Sequence, residues 1–394
     1  MKTFYFTLIL SMMWGASTLH AQDKNIYAKF GKGVNFMAPD SSMSLKLGVR
    51  FQTLFSAERS LADNSNIEKE MQIRRFRLKF DGFAFTPKLE YKIELALSNR
   101  DNAPANLSQQ GNAANIVLDA VLKYSISKNA EIWFGQTKLP GNRERVISSQ
   151  ALQFVDRSLV NGFYNLDRDL GVQLHHKFNI GKVVFKDKYA ISLGQGRNVI
   201  ASDTGGLSYT GRLEILPMGE FTNKGDYFDS DLAREPKPKI SLGVGYSYND
   251  DAPRKAGELG SFLKESRDLS TFFADLMIKY KGWSLTSEYM NKEADKNPLL
   301  KDTSNFFQTG NGWNIQSGYL FKNNFEIAAR YTVINPSSEI LNAGESNYIY
   351  EYTLGVSRYI VGHNLKIQSD LSYIEDKENQ DPDVRFRFQV EMAF

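Results

Sequence analysis

From residue 44 to the end of the chain, apolar and polar side chains alternate in successive stretches of about ten residues, which turns or loops separate. In residues 88–95, the odd positions from Leu89 to Leu95 are apolar and the even positions from Lys88 to Glu94 are charged. Successive side chains of a β-strand point to opposite faces of the sheet. The alternation therefore predicts strands that each carry one apolar face and one polar face.

Sixteen stretches have this pattern. They are 44–57, 76–85, 88–100, 116–126, 130–137, 170–178, 183–194, 207–216, 239–249, 270–280, 283–292, 312–321, 325–334, 348–360, 365–373 and 384–394. The pattern is weak in 130–137, and in 183–194 the residues Lys186, Asp187 and Lys188 interrupt the phase. The even number of strands predicts that both chain ends lie at the same end of a closed sheet.

The connections between these strands are alternately short and long. Short ones include Thr86-Pro87-Lys88 and Lys281-Gly282, whereas 101–115 and 138–169 are long. Outer-membrane barrels have short turns at the periplasmic end and long loops at the outer end. One connection departs from this rule, because 217–238 falls on the short-turn side and yet is long.

No helical pattern provides elements that could cover the apolar faces of the strands. Closing the sheet on itself places those faces against lipid and the charges around water, and it satisfies every backbone hydrogen bond. The predicted fold is therefore all-β, a 16-stranded antiparallel transmembrane β-barrel. A barrel of this size has a lumen wide enough for an aqueous channel, and residues 22–43 are too few to plug it.

The two ends of the chain carry targeting patterns. Lys2 precedes an apolar run and small residues, which predicts a secretory signal peptide over residues 1–21. The mature barrel domain is then 22–394. The chain closes a strand on Phe394, and this terminal aromatic residue is predicted to be the signal that the barrel-assembly machinery reads.

Composition removes several classes of function. The net charge is +3, with 48 basic and 45 acidic residues, so nothing indicates nucleic-acid binding. The absence of cysteine excludes disulfides, thiol catalysis and zinc–thiolate sites. No glycine-rich phosphate loop or metal-ligand cluster is visible, so no cofactor or metal is predicted. The 13% of aromatic residues suits the girdles of a membrane barrel.

Basic residues on the polar faces of the first, second and last strands form a candidate pore wall. They are Arg50, Arg75, Arg77, Lys79, Arg385 and Arg387. Barrel closure makes these three strands neighbours, so the side chains line one stretch of wall. They either guide anions or form structural salt bridges with carboxylates such as Asp81, Glu90, Glu94 and Glu391. The sequence leaves both interpretations open.

The long connection 138–169 is the candidate constriction loop. Its basic residues are Lys138, Arg143, Arg145, Arg157 and Arg168. A loop folded inward would place some of them at the narrowest point, whereas an outer loop would present them to solvent or lipopolysaccharide. Residues 149–160 lack alternation, which permits a short helix there.

Two other classes of function remain open. A barrel hydrolase needs a nucleophile, a base and an orienting group. The only histidines after residue 21 are His175, His176 and His363, and the first two lie next to each other on a strand, so they face opposite sides. The second alternative is a barrel with a blocked lumen and a structural or adhesive role.

Several segments, in their order and spacing, resemble the phosphate-selective porin O/P family of Gram-negative bacteria. They include Phe30–Gly33 with Ser44–Gln52, Ile73–Phe80, and Phe134–Pro140 followed by Phe154–Leu159. The resemblance covers nearly the whole mature chain. It implies a trimeric outer-membrane porin with an inward-folded third loop, which contacts membrane lipid and lipopolysaccharide and passes small anions such as phosphate or other hydrophilic solutes.

Overall fold

A computed structural model describes residues 26–61, 66–101, 115–199, 206–301, 305–377 and 382–394. The predicted signal peptide lies outside these residues. Within them, the chain forms a short hairpin of β1 (Ile26–Lys29) and β2 (Gly33–Met37), followed by a large antiparallel sheet.

Sixteen strands, β3 to β18, make up this sheet. They are β3 (Ser44–Ser60), β4 (Glu68–Ala84), β5 (Thr86–Ala96), β6 (Val117–Ser125), β7 (Ala130–Lys138), β8 (Arg168–Ile180), β9 (Val183–Ser192), β10 (Ser208–Leu216), β11 (Lys239–Arg254), β12 (Phe262–Tyr280), β13 (Trp283–Ala294), β14 (Gly310–Leu320), β15 (Phe325–Pro336), β16 (Ile349–Tyr359), β17 (Leu365–Asp376) and β18 (Asp383–Ala393). Each strand pairs with the next, and β18 pairs with β3. The prediction of a closed sixteen-stranded barrel is confirmed, and both weakly patterned stretches are strands of it.

The first and last strands of the barrel meet at a seam. Their register runs from Asp383 opposite Ser60 to Ala393 opposite Arg50. Beyond it, the amide of Val49 donates to the carbonyl of Phe394 at 2.8 Å, and the amide of Phe394 donates back at 2.9 Å. The terminal residue therefore makes the last two hydrogen bonds of the closed sheet.

The N-terminal hairpin was not predicted from the alternation, because its strands have only four and five residues. It continues the sheet where β18 ends. Val34 to Met37 of β2 pair with Leu47 to Ser44 of β3, just beyond the last residue of the seam. The hairpin therefore lies on the barrel edge that β18 leaves uncovered, and the lumen stays free of it.

The two faces of the barrel have opposite chemistry. Outward side chains such as Phe134, Leu354 and Tyr246 are half exposed or more, as expected of a surface that lipid covers. Inward positions carry buried polar residues, among them Gln52, Glu214 and Lys366. Among the described residues, no helix is both long and apolar enough to cross a membrane.

Helical structure in the described residues is short. The connection between β7 and β8 contains α1 (Arg143–Val146), a 3₁₀ turn at Ser149–Ala151 and α2 (Leu159–Tyr164). A second 3₁₀ turn, Thr222–Tyr227, lies between β10 and β11, and α3 (Ser338–Asn342) follows β15. The predicted helical stretch 149–160 is thus a 3₁₀ turn and the start of α2.

We expect deletion of Phe394 to impair outer-membrane assembly, because it removes two seam hydrogen bonds and the terminal aromatic side chain. The measurement is the amount of heat-modifiable protein in isolated outer membranes. Phe394→Tyr keeps both the aromatic ring and the backbone bonds and serves as the control. Normal amounts of the deletion variant would show that neither feature is needed.

Candidate functional site

The connection 139–167, here called the inner loop, leaves β7 and runs inside the barrel before it returns to β8. Its residues are largely buried, and Arg143, Asn142 and Ile147 have no exposed surface. A loop on the outer surface would leave such polar groups in water. The inner loop instead uses them to contact the opposite wall of the lumen.

The first contact region lies on β11 to β13. Arg143 Nε donates to Asp275 Oδ1 at 2.9 Å, and Arg143 Nη2 donates to Ser241 Oγ at 2.8 Å. Asn142 Nδ2 donates to Glu288 Oε1 at 2.6 Å. These buried polar groups form charge-assisted hydrogen bonds with groups on strands, which fixes the start of the loop rigidly.

The second contact region lies on β15 to β17. Gln153 Nε2 donates to Glu326 Oε1 at 2.7 Å, and the amide of Val155 donates to Asp370 Oδ2 at 3.1 Å. The ring of Phe154 fills a notch at Gly355, where an added Cβ would lie 2.9 Å from the ring. Glycine at that position therefore makes room for the loop.

The unusually long connection 217–238 also folds into the barrel, from the short-turn end. Lys279 Nζ holds it by donating to the carbonyls of Gly225, Phe228 and Ser230 at 2.7–2.9 Å. Phe221 packs with Ile147 of the inner loop in a buried apolar cluster. The two segments together fill the side of the lumen that β11 to β17 enclose.

The other side of the lumen is open. A cavity of about 1110 Å³ lies between the inner loop and the walls formed by β4 to β9 and β18. Lys123 and Glu131 line it near the short turns, and Arg100 and Gln308 line it near the long loops. The cavity thus passes the inner loop and extends toward both ends of the barrel.

The lining of this cavity is strongly basic. It includes sixteen lysine and arginine residues and six aspartate and glutamate residues. Because the whole chain has a net charge of only +3, the positive charge is concentrated here. Low-dielectric walls focus the field of such charges into the water between them.

The model of one protein family, phosphate-selective porin O and P, matches residues 45–390, which is nearly the whole described barrel. The chain belongs to this family. It is a porin of the outer membrane, and its lumen is a passive channel for small hydrophilic solutes. The family resemblance inferred from the sequence is confirmed.

Solved outer-membrane proteins have the same fold. The channel DcaP of Acinetobacter baumannii has a TM-score of 0.57 at 12% identity, covering 92% of this chain and 100% of that one. The trimer form of OmpT from Vibrio cholerae has a TM-score of 0.53 at 10% identity, covering 90% and 100%. An uncharacterised Aquifex aeolicus (strain VF5) protein is 23% identical over 391 residues, covering 89% of this chain and 87% of that protein.

Five of the six basic residues expected on the porin wall line the cavity: Arg75, Arg77, Lys79, Arg385 and Arg387. Arg50 does not, because it is buried and donates to Glu391 at 2.6 Å and to Ser149 Oγ at 2.8 Å. The other arginines also have carboxylate partners. These pairs are Arg75–Asp156, Arg77–Glu94, Arg385–Glu351 and Arg387–Asp370.

Four of the five basic residues expected in the constriction loop line the porin cavity: Lys138, Arg145, Arg157 and Arg168. Arg143 is different, because it points away from the cavity toward the buried Asp275 and the more distant Glu214. Arg145 pairs with Asp167, and Arg168 pairs with Asp119 at 2.8 Å.

Two of these cations are exceptions, Lys138 at the end of β7 and Arg157 in the inner loop. Lys138 Nζ donates to the carbonyls of Arg145 and Ile147, at 2.7 and 3.3 Å. Arg157 donates to the carbonyls of Glu144 and Ile147, both at 2.8 Å. In the described part of the porin, neither has a carboxylate within salt-bridge distance. Burial, and after it the nearby charges of Arg145 and Arg75, lower the pKa of Arg157.

Arg74 also lines the cavity, although simple alternation would place it on the lipid side. The register between β3 and β4 slips after Gln52, so that Gln52 faces Arg75 and Thr53 faces Ile73. Arg74 is the extra residue of this bulge, and its guanidinium reaches Asp156 inside the lumen. In the sequence, the adjacent pair Arg74-Arg75 was the signal that could have indicated this bulge, because simple alternation would place one of the two charges against lipid.

The three described histidines of the porin lie in different surroundings. His175 stacks on Trp133 with ring centroids 4.0 Å apart, and His176 pairs with Asp187 on the outer face. His363 is buried against Phe228 and Tyr359. Within the described residues, no group of three or more histidine, cysteine, aspartate or glutamate side chains could hold a metal ion.

We expect Arg143→Ala to raise the single-channel conductance of the porin. The change removes one of the two guanidinium groups that pair with the buried Asp275, which keeps only Arg212 at 2.7 Å. The porin therefore loses stability, and the start of the inner loop is freed. Planar-bilayer recordings and thermal unfolding measure both effects. Arg358→Ala removes an arginine that lies over Phe325 on the outer face and should change neither. Unchanged conductance in a folded Arg143→Ala porin would mean that the remaining contacts, of Asn142 and of the second contact region, are enough to hold the loop.

Proposed function

We propose that this porin prefers anions, and that Lys138 and Arg157 contribute most to the preference. The observation that carries the proposal is the position of these two cations on the cavity, with only main-chain carbonyls as partners. Their charge is not cancelled locally, so an anion that passes the inner loop can interact with it. The family name and the fork geometry of arginine support phosphate or a related oxyanion as the solute.

The wall arginines contribute less to this preference than their number indicates. A guanidinium and a carboxylate in contact form a dipole, whose field decays faster with distance than that of a single charge. At ordinary ionic strength, screening acts within roughly 8–10 Å. Arg77 and Arg387, with carboxylates at 2.7–3.0 Å, are therefore nearly neutral from the middle of the channel.

The alternatives are a barrel with a structural or adhesive role and a barrel hydrolase. The continuous basic cavity favours a conducting channel over a blocked lumen. A hydrolase is disfavoured because, among the described residues, no histidine has a hydrogen bond to a serine or threonine hydroxyl. We infer that the porin is not an enzyme and needs no cofactor. Current steps in planar bilayers distinguish the channel from a blocked barrel.

We also propose that the porin is a homotrimer, as the trimer form of OmpT is. A belt of outward aromatic residues covers only part of the barrel, which supports a division of the outer face into a lipid-facing part and a part that contacts protein. It runs unbroken over β11 to β17 and comprises Tyr246, Phe272, Tyr289, Trp313, Tyr331, Tyr352 and Tyr373.

Strands β4 to β8 interrupt this belt. Their described outward tyrosines, Tyr91 and Tyr124, lie beside the short turns, and toward the long loops the exposed side chains include Met71, Ile73 and Leu170. Tyrosine and tryptophan mark the level of lipid headgroups. A wall without them at that level is suited to contact with another copy of the chain rather than with lipid.

The remaining proposals concern maturation. Residues 1–21 would be cleaved on export, and 22–394 would insert through the barrel-assembly machinery with Phe394 as its signal. Lipid would cover the aromatic belt, and lipopolysaccharide would surround the long loops. The apolar outer face and the terminal strand support these partners.

We expect Lys138→Gln with Arg157→Gln to lower the anion/cation permeability ratio several-fold, because the change removes two charges without carboxylate partners from the lining of the channel. Reversal potentials under a salt gradient measure the ratio. Arg77→Gln with Arg387→Gln removes the same charge from paired positions and should change the ratio less. A preference for cations in the unmodified porin would refute the proposed function, while equal effects of the two double variants would refute the assignment to Lys138 and Arg157.

We expect Ile73→Arg to weaken the trimer, since it places a charge in the proposed contact surface. Leu354→Arg, on β16, is the control that meets lipid instead, since Leu354 is 64% exposed and Ile73 is 56% exposed. An arginine at the centre of the lipid face costs about 2–4 kcal/mol, so both variants lose some stability. Only Ile73→Arg should lower the temperature at which trimers dissociate on gels. A lower dissociation temperature for Leu354→Arg, and not for Ile73→Arg, would place the contact between copies on β16.

A further inference from the structure

Asp156 of the inner loop forms ion pairs with two arginines on the wall of the channel. Its Oδ1 accepts a hydrogen bond from Arg75 Nη2 at 2.8 Å. Its Oδ2 accepts two bonds from Arg74, from Nε at 3.1 Å and from Nη2 at 2.9 Å. One small anion thus receives three charge-assisted hydrogen bonds from two guanidinium groups, which is the arrangement that a free oxyanion would also adopt.

This carboxylate lies on the channel surface. The side chain of Asp156 is 24% exposed and that of Arg74 is 16% exposed, and both line the cavity. Arg387 and Arg157 lie close enough to interact with it electrostatically. An anion in the cavity can therefore reach the same guanidinium groups that hold Asp156.

Asp156 is charged whenever the porin works. Burial opposes its ionisation, but the guanidinium groups of Arg75, Arg74 and Arg387 outweigh burial and hold the pKa of this carboxyl well below its usual range. The negative charge is thus a constant feature of the channel.

The backbone at Asp156 is held independently of its carboxylate. Arg330 Nη1 donates to the carbonyl of Asp156 at 2.9 Å, and the preceding Val155 amide donates to Asp370. Phe154 lies in its notch at Gly355. Removing the carboxylate therefore leaves the loop in place and exposes Arg74 and Arg75 to the solute.

We propose that Asp156 is a tethered competitor of the transported anion. Resting on the proposed anion preference, this inference assigns Asp156 the role of a residue that limits how long an oxyanion stays at Arg74 and Arg75. A passing anion must share or displace the carboxylate, and the carboxylate returns as the anion leaves. Conduction needs binding that is favourable enough for entry but weak enough for exit.

The pair of Arg387 and Asp370 shows what a purely structural contact looks like in this wall. Asp370 accepts two bonds from Arg387, at 2.7 and 2.9 Å, and its side chain has no exposed surface. It also binds the inner loop through the amide of Val155. Asp370 resembles Asp156 in charge, arginine partner and loop contact, but a solute in the cavity does not reach it.

The test compares Asp156→Asn with Asp370→Asn by the phosphate inhibition of chloride current in planar bilayers. Each change removes one negative charge and keeps the shape of the side chain. We expect Asp156→Asn to lower the phosphate concentration for half-inhibition about tenfold, in line with hydrogen bonds to charged groups. Asp370→Asn frees the charge of Arg387, but that side chain is only 9% exposed, so the value should change less than twofold. Asp156→Glu restores the carboxylate and should return the value close to that of the unmodified porin.

Equal phosphate inhibition of the Asp156→Asn and Asp370→Asn porins, or weaker inhibition of the Asp156→Asn porin, would overturn the inference. Asp156 would then only fasten the inner loop to the wall. Failure of Asp156→Glu to restore the value would overturn it as well, because charge would then not be the cause. The proposed function fails separately, if the unmodified porin prefers cations and phosphate does not inhibit its current. Heat-modifiability on gels verifies that each variant is folded.

Discussion

The lack of water in a lipid bilayer determines the rest of this structure. Every backbone amide and carbonyl at that depth needs a partner within the protein, so the sheet has to close. Closure brings β18 to β3 and sends one side chain of every two into the lumen. Since lipid accepts only the apolar set, the charged residues of sixteen strands are concentrated around a small volume of water. The inner loop can exist there because the strands that it contacts supply partners for its buried polar groups.

The lumen has two halves, one filled by polypeptide and one open to water. On the side of β11 to β17, Asp275 and Glu326 accept hydrogen bonds from side chains of the inner loop. Lys279 donates to carbonyls of the connection 217–238, and the space is filled. On the side of β4 to β9, Lys138 at the end of β7 and Arg157 of the inner loop face open space. Filling one half defines the width of the channel, and the residues left over on the other half define its charge.

Alternation was enough to predict the strands, because each strand has a different environment on its two faces. It was also enough to place Arg75 and Arg387 inside the barrel. It failed at Arg74, where a bulge shifts the phase. It does not apply to Arg143 of the inner loop, whose partner Asp275 lies 132 residues away. The inward fold of 217–238 depends on Lys279 in a similar way. Local patterns determine which side of a strand faces water, but pairings across the lumen arise only when the closed barrel brings distant residues together.

The ion pair of Arg50 and Glu391 lies across the seam, and its members are 341 residues apart in the chain. Contacts at such separation form late, because the whole intervening chain has to be ordered first. Arg50 also donates to Ser149 of the inner loop. Closure of the sheet and docking of the loop are thereby coupled in time, and a barrel that is still open lacks both. We expect the sheet of the nascent porin to close and the inner loop to dock in a single final step. A closed barrel without its inner loop, which would be a wide and unselective pore, is then never exposed in the membrane.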